Sequence, residues 1–154
     1  MEEFRKDPYK GESGPRMAIW DENRSELKCA LTLCDWAFPN PYVPSAEAKL
    51  YSAVTGLNSS QQELDRTGER LKNMQRAVLI RNHDRTRDLE VKEILAFFKR
   101  PDGSGVSIDE DEFAVMVDHY YEQRGWDKAT GWPKRTKLIE LGLQDVADEL
   151  PMLA

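Results

Sequence analysis

The stretch SSQQELDRTGERLKNMQRAVLIRN, residues 59–82, decides how the rest of the chain is read. Ser60 with Glu63, and Ser59 with Gln62, both meet the capping-box spacing, in which side chains satisfy the orphan N–H groups at a helix start. Leu64, Gly68, Leu71, Met74 and Val78 then recur at intervals of three and four and predict one apolar face. Arg66, Glu69, Arg70, Lys72 and Arg76 are assigned to the opposite, solvated face. Gly68 stands in the helix interior, where glycine costs about 1 kcal/mol against alanine. Its presence there predicts the close approach of another element.

The same periodicity extends in both directions. Towards the N-terminus, Met17, Trp20, Leu27, Leu31 and Cys34 predict a helix that starts near Arg16 and stops at the proline-rich FPNPYVP run, which begins with Phe38 and Pro39. Ser45 is the expected cap of a short helix that reaches about Thr55 and ends at Gly56. Towards the C-terminus, NHDRTRD at 82–88 reads as a polar loop. A short helix with Leu89, Val91, Ile94, Leu95 and Phe98 follows and ends at Pro101, and PDGSG makes a turn. Ser107 and Glu110 form a further capping box ahead of Phe113, Met116, Val117, Tyr120 and Tyr121, with Gly125 as the stop. Beyond the Trp-rich turn RGWDKATGWP, Pro133 opens a helix to Leu141, Gly142 breaks it, and a last one runs from about Gln144 to Leu150. No alternating β-branched run is long enough for a strand. The fold class expected is all-α, a compact multi-helix domain over residues 15–154, with residues 1–14 as a polar, poorly ordered lead-in.

Bulk composition narrows the function classes. The chain has 154 residues, 40% hydrophobic and 32% charged, which suits one soluble domain with a real core. A net charge of −6 argues against a nucleic-acid module, which carries a basic patch. No apolar run approaches the roughly 20 residues that span a bilayer, so no membrane partner is expected. The first residues lack the apolar core of a signal peptide, which points to the cytoplasm.

Individual residues give few chemical leads. DGSGVSIDEDEF at 102–113 has an EF-hand outline, but in the register that puts Glu112 at the twelfth position the first is Pro101, the third Gly103 and the sixth Val106. None supplies the oxygen or the glycine turn that calcium requires, so Ser107 reads as a helix cap. His83 and His119 lack partners at ligand spacing. Arg85 and Arg87 are donors suited to an anion, and equally suited to local ion pairs in a solvated loop. Tyr120, Tyr121, Trp126 and Trp132 read as core and corner packing. A free cysteine is, by its residue type, a small buried hydrophobe. From the residues alone, the reading ends at a helical domain with Cys34 at a helix-to-loop junction.

An ordered series of segments carries more. ENRSELKCALTLCDWAFP at 22–39, AVTGL at 53–57, TGERLKNMQRAVLIRNHDRTRD at 67–88, DHYYEQRGWD at 118–127 and KLIELGLQDVADEL at 137–150 together resemble the C-terminal domain of the tungsten-containing aldehyde:ferredoxin oxidoreductase family. The resemblance implies a helical domain of an enzyme with a tungsten or molybdenum bis-pyranopterin and a [4Fe–4S] cluster. Such an enzyme oxidises an aldehyde, with water, to a carboxylate and passes electrons to ferredoxin. The family's D-x-x-G-L-C stretch falls on residues 29–34, which implies that Cys34 is the last cluster ligand and that Cys29 and Leu33 stand at pterin contacts. Leu33 and Cys34 match that pattern, whereas Cys29 replaces its Asp and Thr32 its Gly. Two cysteines cannot hold a four-thiolate cluster, so the resemblance further implies N-terminal domains or a partner chain carrying CxxCxxxC. No cofactor bound to this chain alone, and no activity alone, are the corresponding expectations. A helical interaction module that keeps the fold without the cofactor is the rival reading.

Overall fold

The computed structural model describes residues 13–34, 45–98 and 109–150. Residues 1–12 of the lead-in, the stops at Pro39 and Pro101, the PDGSG turn and Ser107 lie outside them. Among the described residues the chain is all-α, as expected. It forms seven helices: α1 (Ser13–Ala30), α2 (Ala46–Thr55), α3 (Gln61–His83), α4 (Arg87–Phe98), α5 (Glu110–Arg124), α6 (Arg135–Glu140) and α7 (Gln144–Glu149).

Local chemistry accounts for most of the boundaries. Ser60 and Glu63 close a complete capping box at the start of α3: the Glu63 N–H donates to the Ser60 hydroxyl, and the Ser60 N–H donates to the Glu63 carboxylate at 2.8 Å. Gly56, Gly125 and Gly142 take φ of 73°, 70° and 71° just past α2, α5 and α6, where the predicted stops fall. Of two further predicted caps, one stands in place without a side-chain bond and one is replaced. Ser45 has φ 60° and its side chain makes no cap bond, so α2 starts without one. At α5 the cap is Asp109, whose carboxylate accepts from the N–H groups of Asp111 and Glu112 at 3.0 Å.

α3 is the axis of the packing. α1 lies along it and also against α5, α2 packs on its start, and α6 packs on α7. At its N-terminal end Leu64 joins Leu27 of α1 and Ala48 of α2 in a small core flanked by Leu31 and Tyr51. At its C-terminal end Ala77 and Ile80 join Leu138, Leu141, Leu143, Ala147 and Leu150 in a larger one. Between the two, Gly68 meets the α1 backbone: a Cβ there would run into the carbonyl oxygen of Asn23. The close approach predicted at Gly68 is therefore observed.

The face of α3 that is buried differs from the predicted one. Its inward residues are Leu64, Gly68, Asn73, Arg76, Ala77 and Ile80, while Met74 and Val78 are exposed. Asn73 is 0% and Arg76 4% exposed. The cause lies across the domain, in Trp126 and Tyr121, both buried. The Trp126 indole N–H donates to Asn73 Oδ1 at 2.8 Å, and the Arg76 guanidinium sits 4.8 Å over the same indole. Asn73 is inside because the Trp126 indole N–H satisfies it there, and Arg76 because the Gly131 carbonyl, Glu90 and the indole face meet it.

The Trp-rich turn supplies Trp126, and the last turn of α5 supplies Tyr121. Asp127 Oδ1 accepts from the N–H groups of Ala129 and Thr130 and from the Thr130 hydroxyl. The Asp127 N–H donates to the Trp132 carbonyl at 2.8 Å, and the Gly131 carbonyl accepts from Arg76 Nε at 2.9 Å. Tyr121 and Trp126 are core packing, as expected, and Trp132 packs against the larger core.

Candidate functional site

The residues predicted to face a cofactor, Cys29, Leu33 and Cys34, lie together at the end of α1, which closes earlier than expected. The helix does not run to Pro39; its last residue is Ala30. The Thr32 N–H donates to the Cys29 carbonyl at 3.1 Å and the Leu33 N–H to the Lys28 carbonyl at 2.9 Å, with Thr32 at φ 57°. This is a Schellman closure, in which one left-handed residue lets the chain satisfy the last carbonyls and turn away. Nothing in the sequence marked it, because the left-handed position holds threonine rather than the usual glycine.

That turn fixes what each residue can offer. Cys29 is exposed on the last helical turn, Leu33 is half-buried and Cys34 is exposed beyond the helix. The Leu33 N–H is already used by Lys28, which leaves its carbonyl and side chain. The Leu31 side chain packs on the small core, so the turn is tied to α2 and α3. Among the described residues no three His, Cys, Asp or Glu side chains gather as a metal site. The donor set fits one thiolate offered outwards to a metal whose other ligands come from elsewhere.

A second candidate is a cavity of about 260 Å³ between α1, α4 and α5, walled by Ala18, Val91, Ile94, Phe113, Met116 and Val117. Its polar floor is two Tyr–Glu pairs. The Tyr120 hydroxyl donates to Glu22 at 2.6 Å and the Tyr121 hydroxyl to Glu90 at 2.5 Å. Arg124, 1% exposed, bonds to Glu22 and Asn23, and Arg76 pairs with Glu90 at 2.9 Å. Burial opposes ionisation of Glu22, but the Tyr120 hydroxyl, Arg124 and Lys72 outweigh it and hold the carboxyl below its ordinary range. Burial, then the neighbouring glutamate, pushes both phenols up. Through the two hydrogen bonds this floor ties α5 to α1 and to α4.

The other candidates resolve into structure. Arg85 pairs with Glu93 at 2.5 Å and Arg87 with Asp118, while Arg87 also donates to the Lys128 carbonyl at 2.6 Å. The Arg85–Glu93 pair is local, whereas Arg87 starts α4 and its partner Asp118 stands on α5, so that pair joins two helices. His83 is exposed at the end of α3 and His119 half-buried on α5. No helix among the described residues is long and apolar enough to cross a membrane.

The residues that carried the resemblance divide accordingly. Gly68, Asn73 and Arg76 of GERLKNMQRA, and Tyr120, Tyr121, Arg124 and Trp126 of YYEQRGWD, hold α1, α3, α5 and the Trp-rich turn to one another, while Ala77 packs in the larger core. Glu69 pairs with Lys137 of α6 at 2.8 Å. Cys29, Leu33 and Cys34 of the resemblance lie together at the end of α1, with both cysteines exposed. Compared with known proteins, residues 1–143 match the family model described as aldehyde ferredoxin oxidoreductase, domains 2 and 3. No solved structure matches the chain.

Proposed function

The chain belongs to the aldehyde ferredoxin oxidoreductase family, and from that premise we propose that its role in the enzyme is to present Cys34 as one ligand of the [4Fe–4S] cluster. The observation that carries this reading is the turn at Thr32. The family's stretch has glycine at this position, and here the position has φ 57°, the conformation glycine adopts without cost. The chain thus makes, with threonine, the turn that a glycine at this point of the family stretch suits, and the turn leaves Cys34 exposed two residues later.

When bound, the cluster and the tungsten or molybdenum bis-pyranopterin supply the oxidation of aldehyde and water to carboxylate and the transfer of two electrons to ferredoxin. This chain's own residues position and enclose. Cys34 gives up its thiol proton to serve as a ligand. Cys29 offers a thiol, a weak hydrogen-bonding group, where the family has a carboxylate. Leu33 offers the pterin its carbonyl and side chain. The remaining cluster cysteines come from the enzyme's other domains, and the isolated chain is without activity. The substitutions at Cys29 and Thr32 are what favour the second reading, a helical interaction module that has lost the cofactor.

Cluster content tests the two. The chain is reconstituted anaerobically with the domains that carry CxxCxxxC, as wild type and as Cys34→Ala. Iron content and cluster absorbance are expected to fall sharply in the variant. Equal content in both overturns Cys34 as a ligand.

A further inference from the structure

We propose that the cavity between α1, α4 and α5 binds a small uncharged molecule with an apolar body and a hydroxyl head, a phenol or an alcohol. Its walls are Val91 and Ile94 of α4 and Phe113, Met116 and Val117 of α5, and they offer no polar side chain. Among the described helices α4 is the one that buries none of its residues, although Leu89, Val91, Ile94, Leu95, Phe97 and Phe98 are apolar. Val91 and Ile94 are only half-buried against the cavity, so apolar surface is left there for a ligand to cover. The volume, about 260 Å³, sets the size. An apolar cavity of about 150 Å³ takes benzene, so this one takes a body of roughly nine or ten non-hydrogen atoms.

The floor selects the head. Tyr120 and Tyr121 already donate their hydroxyl protons, to Glu22 and Glu90, so neither donates to a ligand. An anionic head therefore meets carboxylate oxygens without a donor and is repelled. The two glutamates keep acceptor capacity: Glu22 Oε1 has Lys72 at 3.4 Å and Glu90 Oε1 has Arg85 at 3.7 Å, both longer than a hydrogen bond of ordinary strength. Each carboxylate also faces two cations, Arg124 and Lys72 for Glu22, Arg76 and Arg85 for Glu90. An ammonium head is opposed by them, so the donor that fits is neutral. An aldehyde or an ether has no donor to give. A hydroxyl on an apolar body satisfies walls and floor together, and its bond to a charged acceptor is of the stronger kind.

The test uses the full chain and para-ethylphenol, a neutral phenol of that size, with para-ethyltoluene as the same shape without the donor. Titration calorimetry is expected to show a single saturable site for the phenol and about tenfold weaker binding of the toluene. Amide exchange in α4 is expected to slow on saturation, because the ligand covers Val91 and Ile94. Ala18 lines the cavity from α1 and is itself exposed, so Ala18→Phe takes up the space without removing a buried contact. That variant is expected to keep the thermal midpoint and to weaken the phenol about tenfold or more. Should it not fold, Met116→Trp occupies the same space from α5. No saturable binding of the phenol overturns the site. Equal binding of phenol and toluene overturns the hydroxyl head, and undiminished binding of the phenol in a folded, filled variant overturns the cavity as its place. The site is independent of Cys34, and no outcome here depends on cluster content.

Discussion

Thr32 combines a β-branched side chain with φ 57°, in a position where the left-handed conformation costs a non-glycine residue roughly 1–2 kcal/mol. Its side chain is exposed and makes no core contact that a substitution would lose. Thr32→Gly removes that cost and adds the larger entropy of an unfolded glycine, about 0.5–1 kcal/mol. The variant is therefore expected to be more stable by about 0.5–1 kcal/mol, read as a higher urea midpoint with unchanged slope. A lower midpoint would mean that the threonine makes a contact that the backbone geometry does not reveal. At this scale the sequence was legible for Ser60 and Glu63, whose spacing alone specified their bonds. It was silent for Thr32, because a helix end on threonine has no local signature.

α1 and α3 meet at a glycine, and the whole contact depends on its lack of a side chain. Gly68→Ala places a methyl group against the Asn23 carbonyl, which is backbone and cannot swing aside. The gain in helix propensity, about 1 kcal/mol, is outweighed by overpacking. A net loss of about 1–3 kcal/mol is expected from urea unfolding. Arg124 reaches α1 through Asn23 and Glu22 next to this contact, so α1 is expected to lose amide-exchange protection before α3 does. The helical periodicity of α3 was legible, but its orientation was not. Met74 and Val78 follow the apolar pattern yet are exposed, since the space opposite is lined by Trp126 and Tyr121, which demand Asn73 and Arg76.

Across the whole molecule, polar ties between distant helices make stability depend on acid. Glu22 joins α1 to α5 through Tyr120 and Arg124 and to α3 through Lys72 at 3.4 Å. Its folded pKa is depressed below the ordinary value of 4.5. A depressed carboxylate contributes stability that is fully present above the unfolded value and is lost as pH falls through the folded one. The Asp127 carboxylate, held below its ordinary 3.8 chiefly by the Thr130 N–H, acts in the same direction. Lys137 is raised above 10.5 because its bond to Glu69 and the charges of Glu69 and Glu140 outweigh burial, so its contribution is lost only in strong alkali. Thermal midpoints are therefore expected to stay level from alkaline pH down to the carboxylate range and to drop below it. Glu22→Gln lowers the neutral plateau and flattens that drop; an unaltered profile would show that the Glu22 ties do not contribute.

The sequence by itself determined the helices, most of their ends, and membership in a family. Caps and stops are settled by hydrogen bonds and backbone angles within a few residues, and the family by the order of its segments. Tertiary structure alone decided which polar groups are inside and where Cys34 stands. Asn73 and Trp126 are 53 residues apart and Arg24 and Glu47 are 23 apart. A buried polar side chain is defined by the partner that satisfies it, and that partner is known only when the helices have packed. The same holds for the end of α1: the left-handed turn before Cys34 rests on a threonine, the turn packs through Leu31 on the small core, and no neighbour in sequence announces it.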